Sequence, residues 1–346
     1  MKILILKFSS IGDIILSTSP LASLRKCFPE ARIDFFTMND YSSILEGHPY
    51  INEILILERA AGFVQIKRAG KHLNTMDYDL VVDLHNTLRS KIIRKQMKNS
   101  EIRILKKPRW KRFQLFQFHI NRFSDTFSQL SLLHEPLIDL LDTETSIPKT
   151  SLFLSESEKQ IALDQLKEMK ILGDYGVIIP GAAWKQKIWN CQGYTEVIKE
   201  LERNNLHAVL IGSSSDIICN ELSEINPQVV DLHGKTNLRE TLAFISQAKL
   251  VIGSDTGFVH GAEALGVPVV MIMGPTSVET GGGPNLSESI IVESDDLWCR
   301  PCSQNGRKPC YRGEQVCMNS INPRTVKTAV QKVLEVCLYF GHFYII

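Results

Sequence analysis

Several stretches of this chain combine residue types that can do chemistry. Ser9-Ser10-Ile11-Gly12-Asp13 follows an apolar run and leads into a helical pattern from Ile14. That puts a carboxylate at the carboxyl end of a strand, where open parallel sheets bind their ligands. A carboxylate there can take a proton from a hydroxyl. It can equally cap the helix and do nothing more. Gly12, without a Cβ, leaves room for a ligand or another backbone to approach.

The segment KLVIGSDTGFVHGAEALGVPVVMIMGPT, residues 249–276, carries a sharper signal. A strand ending at Gly253 is followed by Ser254-Asp255-Thr256-Gly257 and then a helix, so free amides, a hydroxyl and a flexible turn stand above the sheet. That arrangement holds phosphate oxygens at a helix N-terminus. His260, in the first turn, can point the same way and donate a hydrogen bond to an anion. In the bland alternative Asp255 is a cap and His260 a satisfied core imidazole.

Two further loops follow strands. In Pro180-Gly181-Ala182-Ala183-Trp184-Lys185-Gln186-Lys187-Ile188-Trp189 the small residues admit close backbone approach, and a lysine can neutralise phosphate charge. Either lysine alone also reads as a solvated surface charge. Gly212-Ser213-Ser214-Ser215-Asp216 can reach a ribose or base edge, or serve as an ordinary turn and cap.

Cys299, Cys302, Cys310 and Cys317 place four thiols in one short loop. Thiolate binding of zinc or iron needs four such ligands, but the second pair is irregularly spaced, so a structural metal site and free thiols stay open as alternatives. From Arg89 to Arg122 the basic residues, including Arg89, Arg109, Lys111 and Arg112, face a single acid, Glu101, with Trp110, Phe113, Phe116 and Phe118 close by. Such a stretch can dock an anionic glycolipid and the membrane face presenting it, or form a solvated helix face over core aromatics. No recognised nucleic-acid module accompanies it, so no nucleic-acid partner is expected.

These residues need elements to position them. Short β-branched runs alternate with helical patterns, the sequence form of an α/β protein on parallel sheets. Strands are expected near 2–8, 32–36, 53–57 and 79–83, and the series restarts at 176–180, 206–211, 228–232, 249–253, 267–273 and 289–292. The restart predicts two doubly wound domains. A Thr-, Ser- and Pro-containing stretch at 142–154 and a capping-box pattern at Ser155 to Glu158 place the boundary, giving domains 1–154 and 155–322. A last helix from Pro323, within 323–346, is expected to pack back toward the first domain.

The 346 residues suffice for two cores, and 39 basic against 38 acidic side chains exert no overall pull on a polyanion. No run of about 18 apolar residues predicts a spanning helix. The apolar run 3–6 is too short for a signal sequence, and eight cysteines without an export signal point to a reducing cytoplasm.

The opening KFSSIGDIILSTSPLASLRKCFPEARIDF, the PGAAWKQKIW loop, the block DLHGKTNLRETLAFISQAKLVIGSDTGFVHGAEALGVPVVMIMGPT and the cysteine-rich segment together resemble the lipopolysaccharide heptosyltransferases and their relatives in glycosyltransferase family 9. The likeness spans nearly the whole chain, and the order and spacing of the four segments make it specific. It implies a GT-B fold, two Rossmann-like domains facing a central cleft, with the acceptor mainly on the first and the nucleotide sugar mainly on the second.

It implies transfer with inversion that needs no cofactor: a heptose moves from an ADP-activated donor to a lipid-linked core oligosaccharide, at the cytoplasmic face of the inner membrane. Asp13 takes the position of the catalytic base and Lys187 that of the phosphate-binding lysine. Asp255, Thr256, Gly257 and His260 match the donor-binding block, and Asp216 falls near an acidic position that contacts the nucleoside. Ala182 and Ala183 replace hydroxyl residues that some members carry, so backbone amides would serve there. With base and phosphate groups in different domains, closure of the cleft is expected to assemble the site and exclude water. An epimerase or hydrolase on the same scaffold, or a noncatalytic sugar-nucleotide binder, are the alternative readings.

Overall fold

The computed structural model describes residues 1–141, 146–295 and 297–341. The chain divides into two compact units. One comprises Met1–Pro108 with Phe127–Phe153, the other Arg109–Thr126 with Leu154–Ile346.

The first unit is built on a five-stranded parallel sheet of β1 (Lys2–Leu6), β2 (Arg32–Met38), β3 (Glu53–Leu57), β4 (Leu80–Asp83) and β5 (Glu101–Ile104), in the order β3-β2-β1-β4-β5. Strand β1 is central and buried on both faces, which is why it reads as the unbroken apolar run Ile-Leu-Ile-Leu. Leu4 and Leu6 join Phe8, Phe36, Val81 and Ile93 in the core. Strand β5 was not expected from the sequence. Its Glu101 and Arg103 alternate with two isoleucines at the sheet edge, too short and too charged to stand out from the basic stretch around it.

The second unit carries a six-stranded parallel sheet, β6 (Tyr175–Ile179), β7 (His207–Leu210), β8 (Val230–Asp231), β9 (Leu250–Ser254), β10 (Val269–Met273) and β11 (Ile290–Glu293), ordered β11-β10-β9-β6-β7-β8. Alternate residues feed two cores. Ile178, Ile252 and Ile272 face one layer of helices, and Val177, Val251 and Met271 face the other. Truncating any of these to Ala would cost about 2–5 kcal/mol. The helix Glu156–Glu168 starts as its pattern predicts: Ser155 N–H donates to Glu158 Oε2 at 2.8 Å, and Glu158 N–H donates back to Ser155 Oγ at 3.3 Å.

Two segments are placed by their contacts. Residues 109–126 belong with the second unit: Arg112 Nε donates to the Glu279 carbonyl at 3.1 Å, Asn121 Nδ2 donates to Glu279 Oε1 at 2.8 Å, and the His119 ring lies against Trp298. The last helix, Pro323–Gly341, is part of the second unit's own core, where Val326, Ala329, Val330 and Val333 are buried, because its apolar stripe matches the sheet face lined by Ile272 and Val292. The division falls between Phe153 and Leu154; of the boundary stretch 142–154, residues 142–145 lie outside the described residues, as do 342–346 of the C-terminal segment. Among the described residues no helix is long and apolar enough to cross a membrane.

Candidate functional site

Both sheets reverse their strand order beside their first strand, between β1 and β4 in one and between β6 and β9 in the other. Such switch points are where doubly wound sheets bind ligands. Asp13 follows β1; Lys187 follows β6 and Asp255 follows β9.

Asp13 sits in the first turn of the helix Ile11–Leu16. The helix is capped from Ser10, and Asp13 takes the third helical position: its Oδ2 accepts from the Ser10 amide at 3.2 Å and the Ser10 hydroxyl at 3.1 Å. Its Oδ1 accepts from Lys7 Nζ at 3.0 Å. Burial pushes the carboxyl up, but the Lys7 charge and hydrogen bond and the two Ser10 bonds more than offset this and hold it at about 2. Asp13 is therefore ionised at neutral pH, with a side chain 42% exposed.

In the second unit, the Lys187 stem runs beside Gly306 and its Nζ donates to Asp255 Oδ2 at 2.8 Å and to the Asp255 carbonyl. Asp255 Oδ2 also accepts from the Thr276 hydroxyl at 3.0 Å, and His260 Nε2 lies 3.4 Å from Oδ1. Burial opposes the Asp255 charge; Lys187 and His260 outweigh it and hold the carboxyl well below the usual carboxylate range. Asp255 is thus no cap. Thr256 stands at the cap of the helix Gly257–Ala264, and Gly257 is its first residue. Among the described residues, Thr256 Oγ1 and His260 Nδ1 are buried without a hydrogen-bond partner. Unpaired buried polar atoms are costly, and two beside a helix N-terminus and a lysine suit an anionic ligand that would pair them.

Asp216 stands at the N-cap of the neighbouring helix Ile217–Ile225, its carboxylate turned to the preceding turn, where it accepts from the Ser213 amide at 2.6 Å and the Ser213 hydroxyl at 3.0 Å, and it packs against Gly181 at the start of the lysine loop. One sheet end therefore gathers Gly181, Lys187, Asp216, Asp255, Thr256, Gly257 and His260. Sequence reasoning gave no role to Thr276, although it closes the quoted block, nor to Lys7, whose position just after β1 was the available signal.

The residues taken as acceptor contacts are divided between the two units. Arg89 lies in the first unit, its guanidinium donating to the Arg59 carbonyl at 3.1 Å, whereas Arg109, Lys111 and Arg112 lie on the helix Arg109–Phe118 of the second. Arg112 is engaged with Glu279, and Lys111 lies over the Phe123 ring.

The cysteine-rich loop braces the lysine loop. Gln315 donates to the Gln186 carbonyl, and Arg300 donates to the carbonyls of Gly274 and Thr276 at 2.5 and 3.2 Å. Among the described residues no three metal-ligating side chains converge, Cys310 Sγ donates to the Glu314 carbonyl, and Arg312 donates to Cys299 Sγ. Burial, and then the neighbouring cysteines, raise the Cys302 and Cys317 thiols, Cys317 to about 11, so the four sulfurs lie within electrostatic reach of one another. Of the two alternatives open for these thiols, no convergent ligand set among the described residues supports the structural metal.

Two parallel doubly wound sheets, each with a switch point beside its first strand, are the arrangement of the GT-B fold, which the chain shares with the solved structures below. Residues 66–311 match the sequence profile of glycosyltransferase family 9 (heptosyltransferase), and the chain belongs to that family. It is 25% identical over 309 residues to lipopolysaccharide heptosyltransferase 2 of Escherichia coli strain K12, covering 80% of this chain and 84% of the relative. Its fold matches a family 9 glycosyl transferase from Veillonella parvula, with a TM-score of 0.77, 20% identity, and 96% and 97% of the two chains covered. It also matches the E. coli ADP-heptose lipopolysaccharide heptosyltransferase II, with a TM-score of 0.74, 23% identity, and 97% and 99% covered. The chain is a glycosyltransferase of the heptosyl-transferring family.

Proposed function

We propose that this enzyme moves a heptose from ADP-heptose to a sugar of the lipopolysaccharide inner core, with inversion at the anomeric carbon. The observation that carries the reading is the gathering of Lys187, Thr256 and His260 at one switch point, with two buried polar atoms awaiting a partner, in a chain of the heptosyltransferase family. The naming of a structural relative as an ADP-heptose transferase supports the donor.

In this mechanism the donor diphosphate lies on the amides of the helix Gly257–Ala264, beside Lys187, and the base and ribose lie toward Asp216. As the bond from C1 to the diphosphate oxygen breaks, negative charge grows on that oxygen, and the Lys187 ammonium and helix amides stabilise it. The acceptor oxygen attacks C1 from the opposite face, and its proton passes to Asp13. The charge work falls to protein groups, so the reading assigns no step to a metal ion.

The acceptor is presented by a membrane, and residues 109–126 support contact with it. Trp110, Phe113 and Phe118 are exposed and touch one another, and His119 extends this surface to Trp298 and Tyr311, both also exposed. Arg109, Lys111 and Arg122 lie in the same stretch, which carries no acid before Asp125. Aromatic rings amid cations suit the headgroup region of an anionic bilayer.

The test incubates purified enzyme with ADP-heptose and with GDP- and UDP-sugars, with and without heptose-deficient core acceptors, and reads product mass and anomeric configuration. Heptosylated acceptor of inverted configuration, formed from ADP-heptose and lost in Asp13→Ala with donor affinity retained, is expected. Retained configuration, or full turnover by Asp13→Ala, overturns the mechanism.

A further inference from the structure

Lys7 is a charged side chain that neither the fold nor helix capping calls for. It follows the central strand β1 and is only 3% exposed, although burying an ammonium is costly unless it is well paired. Its backbone is fixed by Lys7 N–H to the Phe36 carbonyl at 3.1 Å, and the Leu84 amide donates to the Leu6 carbonyl at 3.1 Å. From that fixed base Nζ donates to the Leu84 carbonyl at 3.2 Å and to Asp13 Oδ1 at 3.0 Å. The ammonium therefore ties the ends of β1 and β4 to one oxygen of Asp13. The capping arrangement at Ser10 uses the other oxygen, Oδ2, and would be complete without a lysine.

We infer that Lys7 is a positioning residue, a fixed counter-charge that orients the Asp13 carboxylate and returns it to its proton-accepting form after each transfer. The inference rests on the reading of Asp13 as the base. The acceptor O–H proton passes to Asp13 as the C1–O bond to the acceptor forms and the diphosphate departs with the bonding pair. The resulting neutral carboxyl group then lies against a buried ammonium, which favours loss of that proton to water. A weakly basic carboxylate suffices for the first step, because a hydroxyl oxygen bonding to C1 becomes strongly acidic.

Other charged or titratable groups at this corner are His85, Lys107 and Arg89, with the buried Asp83 at the end of β4, which pairs with Arg94 Nε at 2.7 Å and accepts from the His85 amide at 2.9 Å. The His85 ring packs edge-on against Phe8, with centroids 5.2 Å apart, and burial first, then Lys7 and Lys107, lower it to about 4, so it is neutral at physiological pH. Lys107 and Arg89 act on the same loop from the ends of β5 and the helix Leu88–Arg94. Lys7 is the cation in direct contact with Asp13.

The experiment compares the intact enzyme with Lys7→Gln, which keeps a hydrogen-bonding group but drops the charge, and with Lys7→Arg and Asp13→Asn. kcat and KM are measured from pH 4.5 to 8.5, and folding is checked by thermal melts. The wild type is expected to show no acid limb in this window. Lys7→Gln should lose roughly 10- to 100-fold in kcat, with donor KM little changed and an acid limb entering the window from below, and Lys7→Arg should recover most of the rate. In the unsubstituted protein the Asp13 carboxyl carbon should titrate near pH 2 by 13C NMR, a readout that stands if Lys7→Gln does not fold. A Lys7→Gln enzyme with wild-type kcat and no new limb overturns the inference, as does ordinary titration of Asp13 near pH 4 in the wild type. If Asp13→Asn turns over normally, the base assignment itself fails; if Asp13→Asn is dead while Lys7→Gln is normal, the role of Lys7 alone fails.

Discussion

The Asp216 carboxylate occupies the space in which a side chain at residue 181 would begin. A Cβ on Gly181 would lie 2.3 Å from Asp216 Cγ, so the lysine loop and the helix Ile217–Ile225 are locked together only while residue 181 is glycine. Gly181→Ala must displace Asp216 or the loop, at a cost of about 1–3 kcal/mol of overpacking. Donor KM is expected to rise about tenfold with a smaller change in kcat, read by steady-state kinetics and donor calorimetry. Unchanged donor affinity would separate Asp216 from the donor site.

If Lys187 holds the donor as proposed, the Lys187–Asp255 pair is expected to couple stability to catalysis. Lys187→Met leaves a buried carboxylate short of a partner, which costs about 3–5 kcal/mol of stability. It should also lower kcat by about 100- to 1000-fold. Adding Asp255→Asn should restore much of the thermal stability and none of the rate. Activity returning with stability would mean that Lys187 serves the fold alone.

Acid sensitivity should be traceable to Glu158. Arg239 donates to it through Nε at 2.7 Å and Nη2 at 2.6 Å, and this pairing, opposed by partial burial and aided by Ser155, lowers the Glu158 carboxyl from 4.5 to about 2. Because the folded value lies below the unfolded one, the stabilisation is fully present above pH 4.5 and is lost as pH falls toward 2. Urea midpoints of wild type and Glu158→Gln should therefore differ at pH 7 and converge below pH 4.5. A gap that stays constant with pH would assign the difference to packing.

Chelation should leave transfer intact. Dialysis against EDTA or phenanthroline is expected to change kcat less than twofold, and Cys302→Ser with Cys310→Ser should keep both activity and melting temperature, since no set of three metal-ligating side chains converges among the described residues. Loss of activity restored by added zinc or iron would reinstate a metal in the cysteine-rich loop.

Trp110→Ser and Trp298→Ser should each weaken binding to anionic phospholipid vesicles several-fold, while kcat/KM on a water-soluble acceptor fragment stays unchanged. Added salt should weaken vesicle binding further as it screens the basic side chains. Equal binding of wild type and both variants to anionic vesicles would remove this surface from the membrane contact.

Much of this protein was legible in one dimension. Buried parallel strands must be apolar on both faces, so runs such as Ile3–Leu6 and Leu250–Ile252 announce themselves, and their restart after residue 155 reveals the second sheet. Asp13, Lys187 and the 255–260 block were singled out because each follows such a strand, and the family resemblance then suggested the roles proposed for them. Other features depended on neighbours distant in sequence. Residues 109–126 join the second unit through Glu279 and Trp298, and the last helix completes the second sheet's core. Local pattern sets which face of an element is apolar and what its end can offer a ligand. Only packing decides which distant element covers that face, and so only the tertiary structure could reveal that an unremarked lysine after β1 holds Asp13.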